Sequence, residues 1–528
     1  MVPNGPKSPN LCQTITSALI LDYPPPTLVQ AQSPSSTPSA KNKAFLAQVK
    51  GIASFLQNST RVNGEDLVLV VHSDNTFFQL PPEVLVHRFH ALLRESNAKL
   101  RRKYGVTLAE REGSKEIVQK YSQKVVFAAS KHCSLNHTDD AACATVPQST
   151  LPPDLFGLKT DKQRDGTRNR PRWLESGAAM GQAADLLPVY ERLLEELMHP
   201  MQRGNPQMVL EQIFGKQEYL REIDRRRTTS WLSEMLWDMV GISEAANTTG
   251  VRVNLEPGKR YELGIGLDYE SQLFFNMKKS ASNAEFLRYR DFKKVSAVQM
   301  QHAVPREVRL SLPMDIELKA ANPFKEPKDI EVKESSLSKE PKGKSGGSSA
   351  NEKNAKFAFN ATIDVMPPSW NFTWNDVPLM TWIHSAAVPA VIHVSGDSHT
   401  RSQWWSSMWY HPYARALLRR SMRMARRRSA LEDPESDSRS KSGGVWTGSG
   451  LWIDYEKVCG GFEEKLFDDG LGHWGRETVD AARQPVYNLW GRLMVGKGPT
   501  MIDLGESKAD EDEDPDEDEE NAEEEDDE

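Results

Sequence analysis

The sequence predicts an α/β fold with a mostly parallel central sheet flanked by helices. Three observations predict it. Leu67-Val-Leu-Val-Val71 is an unbroken apolar run of strand length, rich in β-branched residues, the pattern of a buried central strand. Val125–Ala129 and Ala390–His393 are similar runs. Between the first two lie residues at helical spacing, and alternation of strand and helix is what builds parallel sheets.

Residues 1–10 read as a disordered N-terminus. Thr14–Leu21 reads as the first strand, closed by Asp22, Tyr23 and three prolines. Gln30–Lys41, rich in Ser, Pro and Ala, reads as a loop. Ala44–Leu56 places Phe45, Val49, Ile52, Ala53 and Leu56 on one helical face. Strand, helix and Leu67–Val71 would form a βαβ unit. That strand stops abruptly in His72, Ser73, Asp74 and Asn75. Ligands of open α/β sheets bind beyond the carboxyl ends of strands, which makes these four residues site candidates. A polar turn after a core strand accounts for them equally.

Pro81-Pro82 opens an amphipathic helix over Leu80–Tyr104, with Val84, Leu85, Phe89, Leu92 and Leu93 on one face. The basic run Lys99–Lys103 reads as its solvated end, so no nucleic-acid partner is expected. Lys124–Ser130 is a third buried strand, followed by a polar loop from His132 to Pro147. Leu186–Met198 is a helix, and helical patterning resumes at Met208 and runs through Met239. Lys325–Lys356, rich in Lys, Glu, Ser and Gly, reads as a disordered insertion. Ala414–Arg428 is a basic helix carrying Arg419, Arg420 and Arg423, either a solvated face or a dock for the acidic tail, an acidic partner or a membrane surface.

The 528 residues allow one enlarged domain or two. Mean hydropathy is −0.59, and no apolar run reaches the ~18 residues of a membrane span. No signal-peptide pattern is visible at the start. The segment Glu506–Glu528 carries 17 acids and one lysine, so the rest of the chain is +8 against a total of −8. Such a tail cannot pack a core; it reads as a solvated tail, and acidic tails of this kind can also bind a basic partner. Four cysteines are too few for a disulfide scaffold and suit no zinc site. Cys133 and Cys143 are close enough in a loop-like stretch to pair, whereas Cys12 and Cys459 are distant in sequence. Sequons stand at Asn58, Asn136, Asn247, Asn360 and Asn371.

An ordered set of motifs from Cys12 to Tyr410 resembles the glycosyltransferase domain of the procollagen lysyl hydroxylases and their fungal relatives, nucleotide-sugar enzymes of the GT-A fold. Their "Asp-x-x-Asp, aromatic, Pro-containing helix start" is matched in frame by His72-Ser-Asp74-Asn75, Phe77-Phe78 and Pro81-Pro82. Val125–Ala129 with Cys133 is similar to "Val-x-Phe-(Ala/Gly)-Ala" and its cysteine. Leu174-Glu175-Ser176-Gly177 is similar to "Leu-Asn-Ser-Gly", with Glu175 for Asn. Leu267-Asp268, Ser271 and Phe274 keep the register of "Leu-Asp-x-x-Ser-x-(Ile/Leu)-Phe". Asn205-Pro206-Gln207 stands at "Asp-Asp-Gln", and His393 to Gly396 at "His-x-Asn-Gly", with Ser395 for Asn.

The resemblance implies a GT-A-like, Rossmann-like domain over residues 11–410, then a basic helix, loop and extension over 411–505. It implies transfer of a hexose from a UDP-sugar to a protein or glycan hydroxyl. Mn²⁺ would be held by His72, Asp74, Asn75 and His393, against the diphosphate. Asp22 and Tyr23 would lie near the nucleotide, with Ser176, Gly177 and Gly396 also lining the donor site. Asn205 and Gln207 would occupy the catalytic positions. The resemblance places the chain in the secretory lumen, Golgi or endoplasmic reticulum. The loss of acids at His72, Asn75, Asn205 and Pro206 supports an alternative, a non-catalytic relative that binds nucleotide, glycan or protein, because hard cations need charged oxygen donors.

Overall fold

The computed structural model describes residues 1, 7–29, 38–111, 114–135, 139–163, 165–199, 205–228, 250–251, 253–305, 307–324, 359–367, 372–431, 443–477, 486–487 and 493–494. Within them the fold is mixed α/β, with small mixed sheets. No helix there is long and apolar enough to cross a membrane. The insertion at 325–356 and the acidic tail lie outside the described residues.

The elements that position the site come in this order: α1 (Pro9–Ile20), α2 (Pro38–Gln57), β1 (Leu67–Val71), β2 (Thr76–Phe78), α3 (Pro82–Tyr104), β3 (Val125–Ser130), β4 (Trp173–Gln182), α4 (Ala183–Met198), α5 (Pro206–Thr228), β5 (Ile265–Asp268), β6 (Phe274–Asn276), β7 (Val391–His393), α6 (Ser398–Ser407), α7 (Ala414–Leu431) and α8 (Tyr455–Cys459).

The expected mostly parallel sheet is replaced by two mixed ones. The first runs β1-β4-β3-β5, with β4 antiparallel to both neighbours and β3 parallel to β5. The second runs β2-β7-β6, with β7 antiparallel to β2 and parallel to β6. Leu67–Val71 is therefore an edge strand, and the fully buried inner strand is β3. The unbroken apolar run of β1 has a separate cause. Leu67 and Leu69 pack on one hydrophobic cluster, Val68 and Val70 on another, so both faces of the strand are covered. The same two clusters take alternate residues of β3: Val126 and Ala128 on one side, Val125, Phe127 and Ala129 on the other.

The expected first strand, Thr14–Leu21, is instead the helix α1 with its last turn, and no βαβ unit forms. Every residue from Leu11 to Leu21 is buried, the signature of a helix enclosed on all sides. Its polar residues are satisfied there: the Thr14 hydroxyl lies against the carbonyls of Ser73 and Thr76, and Ser17 Oγ accepts from the Phe78 N–H at 3.2 Å. α1 starts at Pro9, inside the stretch expected to be disordered, with Ser8 Oγ capping the Leu11 N–H.

α3 and α4 form where periodicity places them, α2 covers the expected helix but starts at Pro38, inside the stretch expected to be a loop, and α5 follows the expected patterning up to Thr228. The expected helix beyond it, to Met239, lies outside the described residues. The basic helix α7 is not a solvated face along its first turns. Arg415 and Arg419 are buried, and Arg419 and Arg423 both bind the carboxylate of Asp364 at 2.8 Å. Cys133 and Cys143 pair, with Cα atoms 5.5 Å apart. The sequence-distant Cys12 and Cys459 pair as well, also at 5.5 Å, and join α1 to α8.

Candidate functional site

The two sheets meet where β1 ends in His72 and β7 ends in His393. The His72 N–H donates to the Gly177 carbonyl at 3.1 Å, and the His72 and His393 rings lie edge to face with centroids 6.2 Å apart. β4 is what lets them meet. Phe127 on β3 faces Ala179 of β4, yet the next residue, Ala128, faces Glu175. Ser176, Gly177 and Ala178 thus have no partner on β3 and bulge toward the histidines. A Cβ at Gly177 would lie 2.8 Å from His393 Nδ1 and 2.9 Å from Cε1, so only glycine lets that ring lie on the strand. Burial lowers the pKa of both imidazoles to about 4, and for His72 the second imidazole adds to the effect. Both rings are neutral at neutral pH, and His393 Nδ1 is buried without a partner.

The expected metal ligands diverge. Asp74 accepts a hydrogen bond from Ser8 Oγ at 3.2 Å, at the start of α1. Asn75 Oδ1 accepts from Arg401 Nη1 at 2.8 Å, and its carbonyl accepts the Val394 N–H at 2.7 Å. Among the described residues, no group of three His, Cys, Asp or Glu is gathered in a way that would hold a metal ion. Two neutral imidazoles and a carboxylate already hydrogen-bonded to Ser8 do not fit Mn²⁺, which favours charged oxygen ligands.

Of the expected catalytic pair, Asn205 is exposed and caps α5 by accepting the Met208 N–H at 2.9 Å. Gln207 reaches inward: its amide oxygen accepts the Ser176 N–H at 2.7 Å, and its amide nitrogen donates to the Leu174 carbonyl and to Glu211. Asp22 and Tyr23 fall away from the histidines. The chain passes from Ser8, at Asp74, through α1 to Tyr23, whose hydroxyl donates to the Leu80 carbonyl and whose ring lies 4.5 Å from that of Phe78. Phe78 pairs with Val391, at the opposite end of β7 from His393. A strand end was expected at Asp22, and the helix that replaces it carries both residues away. Gly396 is exposed, at φ 143° in the turn into α6, with Thr400 the nearest side chain. Asp268 is structural: its buried carboxylate accepts the N–H groups of Gln272, Leu273 and Phe274.

Three residues join the site that no motif marked as ligands. Glu175 accepts from Asn276 Nδ2 at 2.8 Å, and burial raises its pKa against the opposing pull of His72 and Lys278. Arg401 enters through Asn75. Glu211 is buried and accepts the Ser134 N–H, and burial lifts its pKa to about 7. Its place at i+4 from Gln207 on α5 was the one available signal.

The folded Glu211 keeps its proton where the unfolded chain, at the ordinary 4.5, has released it. Stability therefore falls as pH rises from about 4.5 to about 7. Glu211→Gln is expected to remove that fall, worth roughly 3 kcal/mol across the window. Urea midpoints of both proteins on either side of the window check it, and parallel pH profiles would contradict it.

Comparison with protein-family models and with curated protein sequences finds no match to this chain.

Proposed function

We propose that the chain is a GT-A-type nucleotide-sugar-binding protein that has lost its divalent-ion site, a non-catalytic relative of the UDP-hexose transferases. One observation carries this reading. Where the resemblance calls for two carboxylates, His72 and Asn75 stand, one edge to face with the His393 ring, which lies against Gly177, the other bonded to Arg401. Asp74, the remaining acid of the motif, turns to the cap of α1. The UDP-sugar would bind beyond the carboxyl ends of β1, β6 and β7, where the two sheets meet. Its partners would be that donor, a protein or glycan, and a basic partner for the acidic tail. The two disulfides and the exposed sequon at Asn360 support a secretory compartment.

Calorimetry with UDP, in Mn²⁺ and in chelator, tests the reading. UDP should bind with an affinity indifferent to Mn²⁺, and Asp74→Ala should leave it unchanged. Restoring the acids with His72→Asp and Asn75→Asp together should create Mn²⁺-dependent binding. Wild-type binding that requires Mn²⁺ would count against the proposal.

A second reading, hexose transfer to a protein or glycan hydroxyl, has one observation in its favour. Glu175 and Glu211 are neighbouring carboxyls whose pKa burial raises, and a base near neutral pH is what proton abstraction from a hydroxyl needs. Release of UDP from a UDP-hexose in the presence of acceptor, lost in Glu175→Gln, would favour it.

A further inference from the structure

We propose that Arg401 binds the diphosphate of a nucleoside diphosphate beyond these strand ends, in place of a divalent cation, with Asn75 orienting its guanidinium. The inference rests on the reading that a nucleotide binds there. Its starting point is the misfit of the metal ligands. An anionic diphosphate needs a counter-charge, and three of the four positions expected to hold a cation, His72, Asn75 and His393, present neutral groups instead.

Arg401 stands in the first turn of α6, and its Nη1 donates to Asn75 Oδ1 at 2.8 Å. Asn75 is the altered acid of the motif. A carboxylate there would pair with the guanidinium and cancel its charge. An amide oxygen fixes the guanidinium and leaves the charge uncompensated. With Nη1 held by Asn75, the edge formed by Nε and Nη2 is the one free to take two oxygens of a phosphate side by side. Nε is buried and has no hydrogen-bond partner among the described residues. A buried donor left unmade is costly, and an arriving oxyanion would satisfy it.

The surroundings agree in charge. Lys278 and Lys279 are exposed just beyond the end of β6, and Lys278 lies within electrostatic reach of Glu175. His72 and His393 are neutral and oppose no anion. The nearby carboxylates have partners: Asp74 accepts from Ser8, Glu175 from Asn276, and Asp397, which caps α6, from the Thr400 N–H.

The test is calorimetry on the full chain in chelator, with UDP, inorganic pyrophosphate and uridine as probes. UDP and pyrophosphate should compete for one site. Arg401→Ala should weaken both by about ten- to a hundred-fold, the size of a lost charge-assisted contact, and leave uridine binding as it was. Asn75→Asp, which keeps the Arg401 hydrogen bond and neutralises its charge, should weaken both in the same direction. This second variant decides the matter if Arg401→Ala does not fold. UDP binding that survives both substitutions overturns the inference and leaves the nucleotide-binding reading intact. UDP binding abolished by chelator overturns it too, because the counter-charge is then a metal ion. A wild-type chain that binds no UDP overturns the inference and the reading together.

Discussion

Asp364→Ala should lower the stability of the protein by about 3–5 kcal/mol, the cost of stripping one partner from a buried ion pair. The Asp364 side chain is fully enclosed, and it accepts Arg419 Nε and Arg423 Nη1, each at 2.8 Å, as well as the Asn360 N–H at 2.9 Å. Without it, buried Arg419 still has Glu477 at 3.2 Å, which it shares with Arg415 at 3.5 Å. Arg415 also pairs with Asp469, so the loss falls on Arg419 and Arg423, the two groups that Asp364 binds. A charge held out of water without its counter-charge is the costly arrangement, so the loss should exceed that of any surface pair on the molecule. Asp364→Asn keeps an acceptor but not the charge and should fall between the wild type and Asp364→Ala. Adding Arg419→Met to Asp364→Ala should restore part of the loss, because it removes a stranded charge and leaves apolar contact. Urea unfolding of the four proteins measures this. A loss under about 1 kcal/mol for Asp364→Ala would mean that water reaches these arginines.

How far the sequence could be read depends on what each pattern reports. The run Leu67–Val71 reports that both faces of a strand are covered, which is true of β1. It does not report lateral pairing, and so an edge strand reads as a central one. Thr14–Leu21 failed for a related reason. A helix buried on all sides shows no amphipathic period, and its β-branched Thr14, Ile15 and Thr16 imitate a strand. The better signal was at its start, where Ser8 and Pro9 form an N-cap and first turn that a disordered reading set aside. In the site, His72, Gly177 and His393 were each legible as the polar end of an apolar run or as a close-approach glycine. Their meeting was not, because it depends on a bulge in β4 that has no sequence mark beyond the glycine itself. Arg401 was invisible: nothing in a lone arginine on α6 points to Asn75 until the fold brings them together. Asn205 shows the reverse error. Its frame suggested chemistry, while its residue type, an asparagine before a helix, suggested the cap it forms.

Removing the bridge between α1 and α8, with Cys12→Ala and Cys459→Ala, is the second large loss expected. The bridge closes a sequence separation of 447 residues, against 10 for Cys133–Cys143. Loop-closure entropy grows with the logarithm of loop length, which gives about 6 kcal/mol for the long loop and about 3 kcal/mol for the short one. Native bridges removed from folded proteins cost about 2–5 kcal/mol, so the long-loop variant should fall near the top of that range. The order of the two effects is the sharper expectation, since residual structure in the unfolded chain lowers both. Position adds to it. Cys12 and Cys459 are both buried, on helices that pack within one hydrophobic cluster, and Thr16 Oγ1 and Tyr455 Oη lie 2.6 Å apart across the same contact. α1 in turn backs the histidine turn, through Thr14 at the carbonyls of Ser73 and Thr76. Loosening α1 should therefore also lower the affinity for UDP, while Cys133→Ala with Cys143→Ala should be the milder change in stability. Urea midpoints of the oxidised wild type and of both double variants settle the order. A costlier loss for the Cys133–Cys143 pair would show that α1 is held by its packing and hydrogen bonds rather than by its covalent tie to the far end of the chain.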